Sequence, residues 1–355
     1  MKKFILALLF PAIFLVQPLS GQSDSLIFQA AVSDTQDVSV RLFDSDKPLD
    51  ISLRFDISQY KRKRSDTTYL NAVLTYYTDE NDSVSKKIKI RARGEIRRKI
   101  CDFPPFFLNF RMKDSKDGKF VGINKLKVVP YCKLGYEDYV LREYLIYKLY
   151  NVLTENSLRV RLFRINLYNT AKPGKPLKQY GFAIEPVRVF EKRTGSFELK
   201  NVKLSRSFIK PEMLDRCAIF NYMIGNTDWS IPNMHNVHLF QQPFSEQPEL
   251  AMIVPYDFDY SGLINAEYAV PFETLPIKSV KERLYLGSCR SREEFRNALD
   301  EFIARKDEFY RTVNDFAYLS DRSKREIIRY LDGFYRLFDK RETIIATLLL
   351  ECREP

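Results

Sequence analysis

The stretch that most restricts this chain is residues 221–262, NYMIGNTDWSIPNMHNVHLF followed by a turn and then MIVPYDFDYSGL. It reads as helix, loop, strand, turn, strand and acidic loop. The apolar runs at 237–240 and 252–254 are short enough to be paired strands. Pairing them brings Asp228, Asn236 and Asp257 towards one end of the hairpin. Taken singly, Asp and Asn are common turn and cap residues. Two carboxylates and an amide oxygen converging at one point suit a hard divalent cation such as Mg2+ or Mn2+.

Phosphoryl transfer uses such a set, with one carboxylate to orient the attacking hydroxyl and an Asn and an Asp to hold metal on the phosphates. In that reading Asp228 is the catalytic residue, and Asn236 and Asp257 are the metal ligands. Asn233 competes with Asn236, because it lies five residues after Asp228, the usual spacing of kinase catalytic loops. Asn236 is preferred because it stands where the loop enters the hairpin. Asp259 either assists or caps the turn at Ser261–Gly262.

GNTDW, then HN entering a strand, then PYDFDYSG resemble the catalytic and metal-binding segments of the CotH family of secreted, atypical protein kinases. The layout is also similar to lipid kinases and other atypical kinases. An Arg-Gly strand (Arg91, Arg93, Gly94), a Pro-Phe-Phe strand and a long helix beginning YVLREYL fall in the order of a CotH-like N-terminal lobe, so the resemblance spans roughly 85–290. It implies an α+β, two-lobed atypical kinase-like fold: a β-rich N-terminal lobe within 22–186 and a mostly helical C-terminal lobe within 187–355. It also implies ATP with Mg2+ or Mn2+, and a protein or other hydroxyl acceptor. An activating kinase arrangement pairs a strand lysine with a helix glutamate, here Lys127 and Glu143. Arg93, with Arg91 on the same strand face, is either a contact for nucleotide phosphates, which guanidinium matches bidentately, or part of a solvent-facing row. Glu185 falls near the hinge between lobes, where an adenine would meet the chain. No GxGxxG loop is present, and CotH-like proteins do not depend on one.

The rest of the chain frames this reading. Residues 1–21 have the form of a signal peptide, with Lys2 and Lys3, the apolar FILALLFPAIFLV and small residues before Gln22. Its core is short and broken by Pro11, and no other segment is long enough to span a bilayer. The expected location is therefore secreted or periplasmic. The formal net charge of +11 is dispersed, favouring acidic partners such as nucleotide phosphates or envelope polymers and not nucleic acid. Five cysteines leave at least one free thiol. Cys101 and Cys132 are either a disulfide or two buried thiols. The absence of CxxC and the presence of only two His, His235 and His238, argue against zinc and against hydrolytic triads.

Strands are expected at SLIFQAAV, VSVRLF, LDISLRFDI, YLNAVLTYY, KKIKIRARG, PPFFLNF, NKLKVV, LRVRLFRINLYN and QYGFAIEP. Solvated loops are expected at 61–66 and 78–83, and a polar connection at 187–210. Helices are expected at 137–153, 211–225, 292–309, 322–338 and 342–351. Two other readings stay open: a non-catalytic, pseudokinase-like protein binding the cell envelope, and a purely structural Ca2+ site at Asp257–Asp259.

Overall fold

In the N-terminal half, strand alternation closes a sheet upon itself. The computed structural model describes residues 40–77, 82–110 and 118–354. The expected signal peptide at 1–21, the strand SLIFQAAV and most of the 78–83 turn lie outside the described residues. Seven strands form the barrel: β1 (Leu49–Phe55), β2 (Leu70–Tyr77), β3 (Ser83–Ala92), β4 (Phe106–Asn109), β5 (Lys125–Pro130), β6 (Val160–Asn169) and β7 (Leu177–Ile184). Their order is β1-β2-β3-β4-β5-β7-β6, closed by parallel pairing of β1 with β6 from Leu49↔Phe163 to Phe55↔Asn169. In β3, Ile88, Ile90 and Ala92 point inward while Lys87 and Lys89 face solvent. In β5, Leu126 and Val128 fill the interior and Lys125 and Lys127 take the other face. Leu53, Leu74, Ile90, Leu108, Leu126 and Phe163 share one fully buried cluster.

This architecture is mixed α+β, with a β-rich N-terminal region and a helical C-terminal region. The barrel departs from the expected lobe: a kinase N-lobe is not ordinarily a closed barrel of seven strands. The pairing of β1 with β6 removes the free edges that an open sheet would carry.

Helix α3 (Glu137–Leu153) lies between the barrel and the helical region. Val140, Leu141, Tyr144, Leu145, Ile146, Tyr147, Leu149 and Tyr150 are all buried, and so are the charged Arg142 and Glu143, so the helix is interior on most of its sides. It packs on β6, β7, α5 (Pro211–Ile224) and α7 (Lys306–Asn314). The hairpin of β9 (Val237–Gln241) and β10 (Ala251–Pro255) pairs in the register Val237↔Pro255, and the short β8 (Phe197–Glu198) adds a third strand.

Several local expectations change. Within 38–43, the described residues 40–43 make a turn and not a strand, although Leu42 and Phe43 are buried. The charged 61–66 segment begins inside α1 (Ile57–Lys63), which Asp56 caps through Gln59 N at 2.7 Å and Arg64 ends at φ 42°. Within 187–210 stands α4 (Val187–Thr194), closed by Gly195. The expected helix at 292–309 breaks at Arg305 into α6 (Arg292–Ala304) and α7. The break lets both Phe302 and Phe309 reach the core, with ring centroids 6.4 Å apart. Helices α8 (Asp321–Tyr335) and α9 (Arg341–Glu351) complete the region.

Two disulfides form. Cys101–Cys132 ties the segment after α2 (Ile96–Ile100) to the segment after β5, and Cys289–Cys352 ties the loop before α6 to the end of α9. Cys217 is free and buried in α5.

Gly225 ends α5 in the left-handed region at φ 65°, donating to Asn221 O and Tyr222 O, and so turns the chain into the Asn226–Asp228 loop. A Cβ there would collide with the Tyr330 hydroxyl. Gly225→Ala is expected to cost roughly 1–2 kcal/mol in a urea melt, with an unchanged slope.

Candidate active site

Short-range hydrogen bonds fold the segment after α5 back on itself. Asp228 N–H donates to Asn226 Oδ1 at 3.1 Å, and Asn226 Nδ2 donates to Asn221 Oδ1 at 2.8 Å. The chain then returns through a two-way bridge, Ser230 N to His235 O at 3.0 Å and His235 N to Ser230 O at 2.9 Å. That return sets His235 Nε2 2.8 Å from Asp228 Oδ1. Asn236 Nδ2 donates to Asp228 Oδ2 at 2.9 Å and to Asp228 O at 2.8 Å. Asn236 can do so because its backbone is left-handed, at φ 51°. Asn233 is exposed on the loop and takes no part in these bonds.

Asp257 stands across from this pair. Tyr256 N–H donates to Asn236 O at 2.9 Å, continuing the ladder one step beyond Pro255. Asp257 then adopts φ 61°, and its N–H donates to the hydroxyl of Tyr147 on α3 at 2.9 Å. The next residue, Phe258, is buried against Tyr147 and Phe220 with centroids at 4.9 and 5.9 Å. The anchored Phe258 and the left-handed turn aim Asp257 at the same region as Asp228. Burial pushes the Asp228 carboxyl up; His235 pulls it back, and the nearby Asp257 adds to the rise. The Asp257 carboxylate makes no hydrogen bond or ion pair among the described residues.

A buried ionic group lies behind Asp257. Arg97, on α2, bonds Glu143 Oε2 at 2.5 Å and Asp259 Oδ2 at 2.8 Å, and Tyr268 donates to the same Asp259 oxygen at 3.1 Å. The three charged side chains are 13%, 1% and 9% exposed. This corrects the expected pairing of Lys127 with Glu143: the partner of Glu143 is Arg97. The guanidinium reaches two carboxylates at once through separate nitrogens, which a lysine ammonium on β5 does not match in geometry. Burial is the largest influence on Glu143 and pushes its carboxyl up, against the pull of Arg97. Burial alone would depress Arg97, but Asp259 and Glu143 outweigh it. Asp259 thus holds Arg97 and does not cap the Ser261 turn. In the sequence Arg97 is marked only by its place three residues past Gly94, in GEIRR.

Lys127 remains uncommitted. Its Nζ stands 5.2 Å over the Tyr256 ring, which also stacks on His238 at 4.2 Å. His238 Nδ1 bonds Glu198 at 2.6 Å, while its Nε2 is buried without a partner. Burial, and next the charge of Arg93, bring the Lys127 pKa down to about 8, with Asp257 opposing them. The Arg93 guanidinium lies 5.6 Å over Phe107, the residue that pairs with Lys127 across β4 and β5. Glu185 does not belong to this group. Its fully buried carboxylate is divided between Arg159 and Arg193, both at 2.9 Å, and its own N–H donates to Arg159 O. Its side chain and its N–H are thus both taken by protein partners.

Several polar atoms here lack protein partners: the Asp257 carboxylate, Asn236 Oδ1, and the buried Glu143 Oε1. These oxygens suit a hard cation. Among the described residues, no three His, Cys, Asp or Glu side chains group as a metal cluster, so any cation here would also rely on Asn236 or on ligand and water oxygens.

No protein-family model matches the chain, and no curated protein is significantly similar to it. Among solved structures, a proinflammatory kinase of Helicobacter pylori, CtkA, aligns over 81% of this chain and 92% of its own, at 10% identity and a TM-score of 0.36. A likeness this loose carries no argument about fold or activity.

Two outcomes follow from the site's charges. Arg97→Met strands two buried carboxylates and is expected to cost roughly 3–5 kcal/mol by chemical denaturation; apolar replacement of Glu143 and Asp259 as well recovers most of it. For Lys127, the unfolded chain holds its proton up to about 10.5 and the folded one only to about 8, so its burial costs stability below pH 8 and that cost fades as pH rises to 10.5. Lys127→Met is thus expected to be more stable than wild type by about 1–3 kcal/mol at pH 7, with the gap closing by pH 10.

Proposed function

We propose that this chain is an exported, CotH-like atypical kinase that transfers phosphate from ATP to a hydroxyl acceptor in a metal-dependent reaction. One observation carries the reading. At the end of the β9–β10 hairpin, the bonded pair Asp228–Asn236 faces a partnerless Asp257, with the uncommitted cations Lys127 and Arg93 beside it. By contrast, the charges of Arg97–Glu143–Asp259 and of Glu185 with its two arginines are answered by partners.

In this reading Asp228 orients the acceptor hydroxyl and takes its proton as the new O–P bond forms. Asn236 holds one Asp228 oxygen, so the hydroxyl approaches on the other, where half-exposed His235 can swing aside. Lys127 and Arg93 bind donor phosphate oxygens. Asp257 and Asn236 Oδ1 would hold Mg2+ or Mn2+, which neutralises charge on the transferred group. The disulfides Cys101–Cys132 and Cys289–Cys352 support an oxidising compartment, in keeping with the signal-peptide pattern. Among the described residues, no helix is long and apolar enough to cross a membrane.

A second reading, a non-catalytic binding protein of the cell envelope, is favoured by one feature: Glu143 is held by Arg97 and leaves Lys127 without the partner an active kinase gives it. Thermal melts with ATP and Mn2+ separate the two. The first reading expects a rise that needs both ligands, corresponding to about 2–3 kcal/mol at 100-fold excess over Kd. Asp257→Asn, which tolerates the left-handed backbone, should abolish the rise. No shift at saturating ligand would remove the kinase reading.

A further inference from the structure

A cavity of about 640 Å³ adjoins the Asp228 loop, lined by Arg206, Arg353, Trp229, His235, Phe272 and Leu275 among others. No Asp or Glu lines it. Arg206 leads the short 3-10 turn Arg206–Phe208, and its Nη1 is buried without a partner. Burial, and then the neighbouring Arg353, depress its pKa. Arg353 is held in place by the Cys289–Cys352 bond and by two ladder bonds, Arg353 N to Gly287 O at 2.9 Å and Cys289 N to Arg353 O at 3.0 Å. Neither guanidinium forms an ion pair among the described residues. Two adjacent like charges, one with a desolvated donor, are unfavourable until an anion joins them. Guanidinium groups match carboxylate and phosphate oxygens bidentately.

We propose that Arg206 and Arg353 form an oxyanion site, and that Trp229, Phe272 and Leu275 receive the apolar body of the same ligand. The ligand is a carboxylate- or phosphate-bearing molecule with an aromatic or aliphatic frame. If the phosphotransferase reading holds, it is the acceptor: His235 lines this cavity and bonds Asp228 at 2.8 Å, so a molecule anchored by the arginines presents a hydroxyl to Asp228.

Trp229 is the only tryptophan in the chain, so its emission reports on this cavity. The intact protein is titrated at low salt with phenyl phosphate, with phenylacetate and with neutral benzyl alcohol. The site predicts a saturable emission change with at least one of the two anions and none with the alcohol; the stronger anion identifies the oxyanion preferred. Arg206→Gln and Arg353→Gln should each weaken it by about tenfold or more. Arg353 is exposed, so its variant keeps the fold and decides the matter even if Arg206→Gln does not fold. A flat titration with both anions, an equal response to benzyl alcohol, or unchanged affinity in Arg353→Gln overturns the proposal. Asp257→Asn should leave the probe response intact. A protein without a nucleotide shift but with the probe response would lose only the phosphotransferase reading; the reverse would remove only this site.

Discussion

The buried bridge from Arg97 to Glu143 and Asp259 is the interaction on which the rest of this structure depends. Each charge comes from a different element: the short helix behind the barrel, the central helix α3, and the loop leaving the β9–β10 hairpin. None could be buried alone, because an unpaired ion in the interior costs several kcal/mol. The three elements must therefore close in one arrangement. Asp259 is fixed by Arg97 and Tyr268, Phe258 by Tyr147 and Phe220, and Asp257 is left as the one residue of that triplet free to face outward.

The same economy explains the strained backbone. Asn236 and Asp257 both sit at positive φ, a region that Asn and Asp tolerate better than most residues. Regular extended backbone would send their side chains to alternate faces of the hairpin. The left-handed turns re-aim them at a common point, and Tyr147 holds one of the turns by accepting from Asp257 N–H. Strain of this kind persists where surrounding contacts over-determine it. Here those contacts are the hairpin ladder on one side and the aromatic packing of α3 on the other.

Much of the barrel and the hairpin was legible in the sequence, because period-2 alternation and turn residues are local signals. The inward set of β3 and the opposite faces of Lys127 and Val128 follow from alternation alone. The hairpin register, set by its own short runs, places Asn236 and Asp257 at one end, but the left-handed turns that bring their side chains towards Asp228 are not a local signal. The Lys127–Glu143 pairing was not legible for another reason. It rested on chain order by analogy, whereas pairing is decided by which guanidinium reaches a buried carboxylate. Arg97 comes from an element whose approach to α3 no local pattern records.

By itself the sequence determined the mixed α+β character, most strands and helices, and the acidic–amide set at the hairpin. These depend on neighbours a few residues apart, through alternation, helical spacing and turn chemistry. Only the tertiary structure decided that β1 closes on β6, that Glu143 answers Arg97, that Lys127 stands free near Asp257, and that Arg206 and Arg353 line one cavity. Those outcomes bring together residues tens to hundreds of positions apart. They are set by packing and by the cost of burying charge, which act on the whole chain at once.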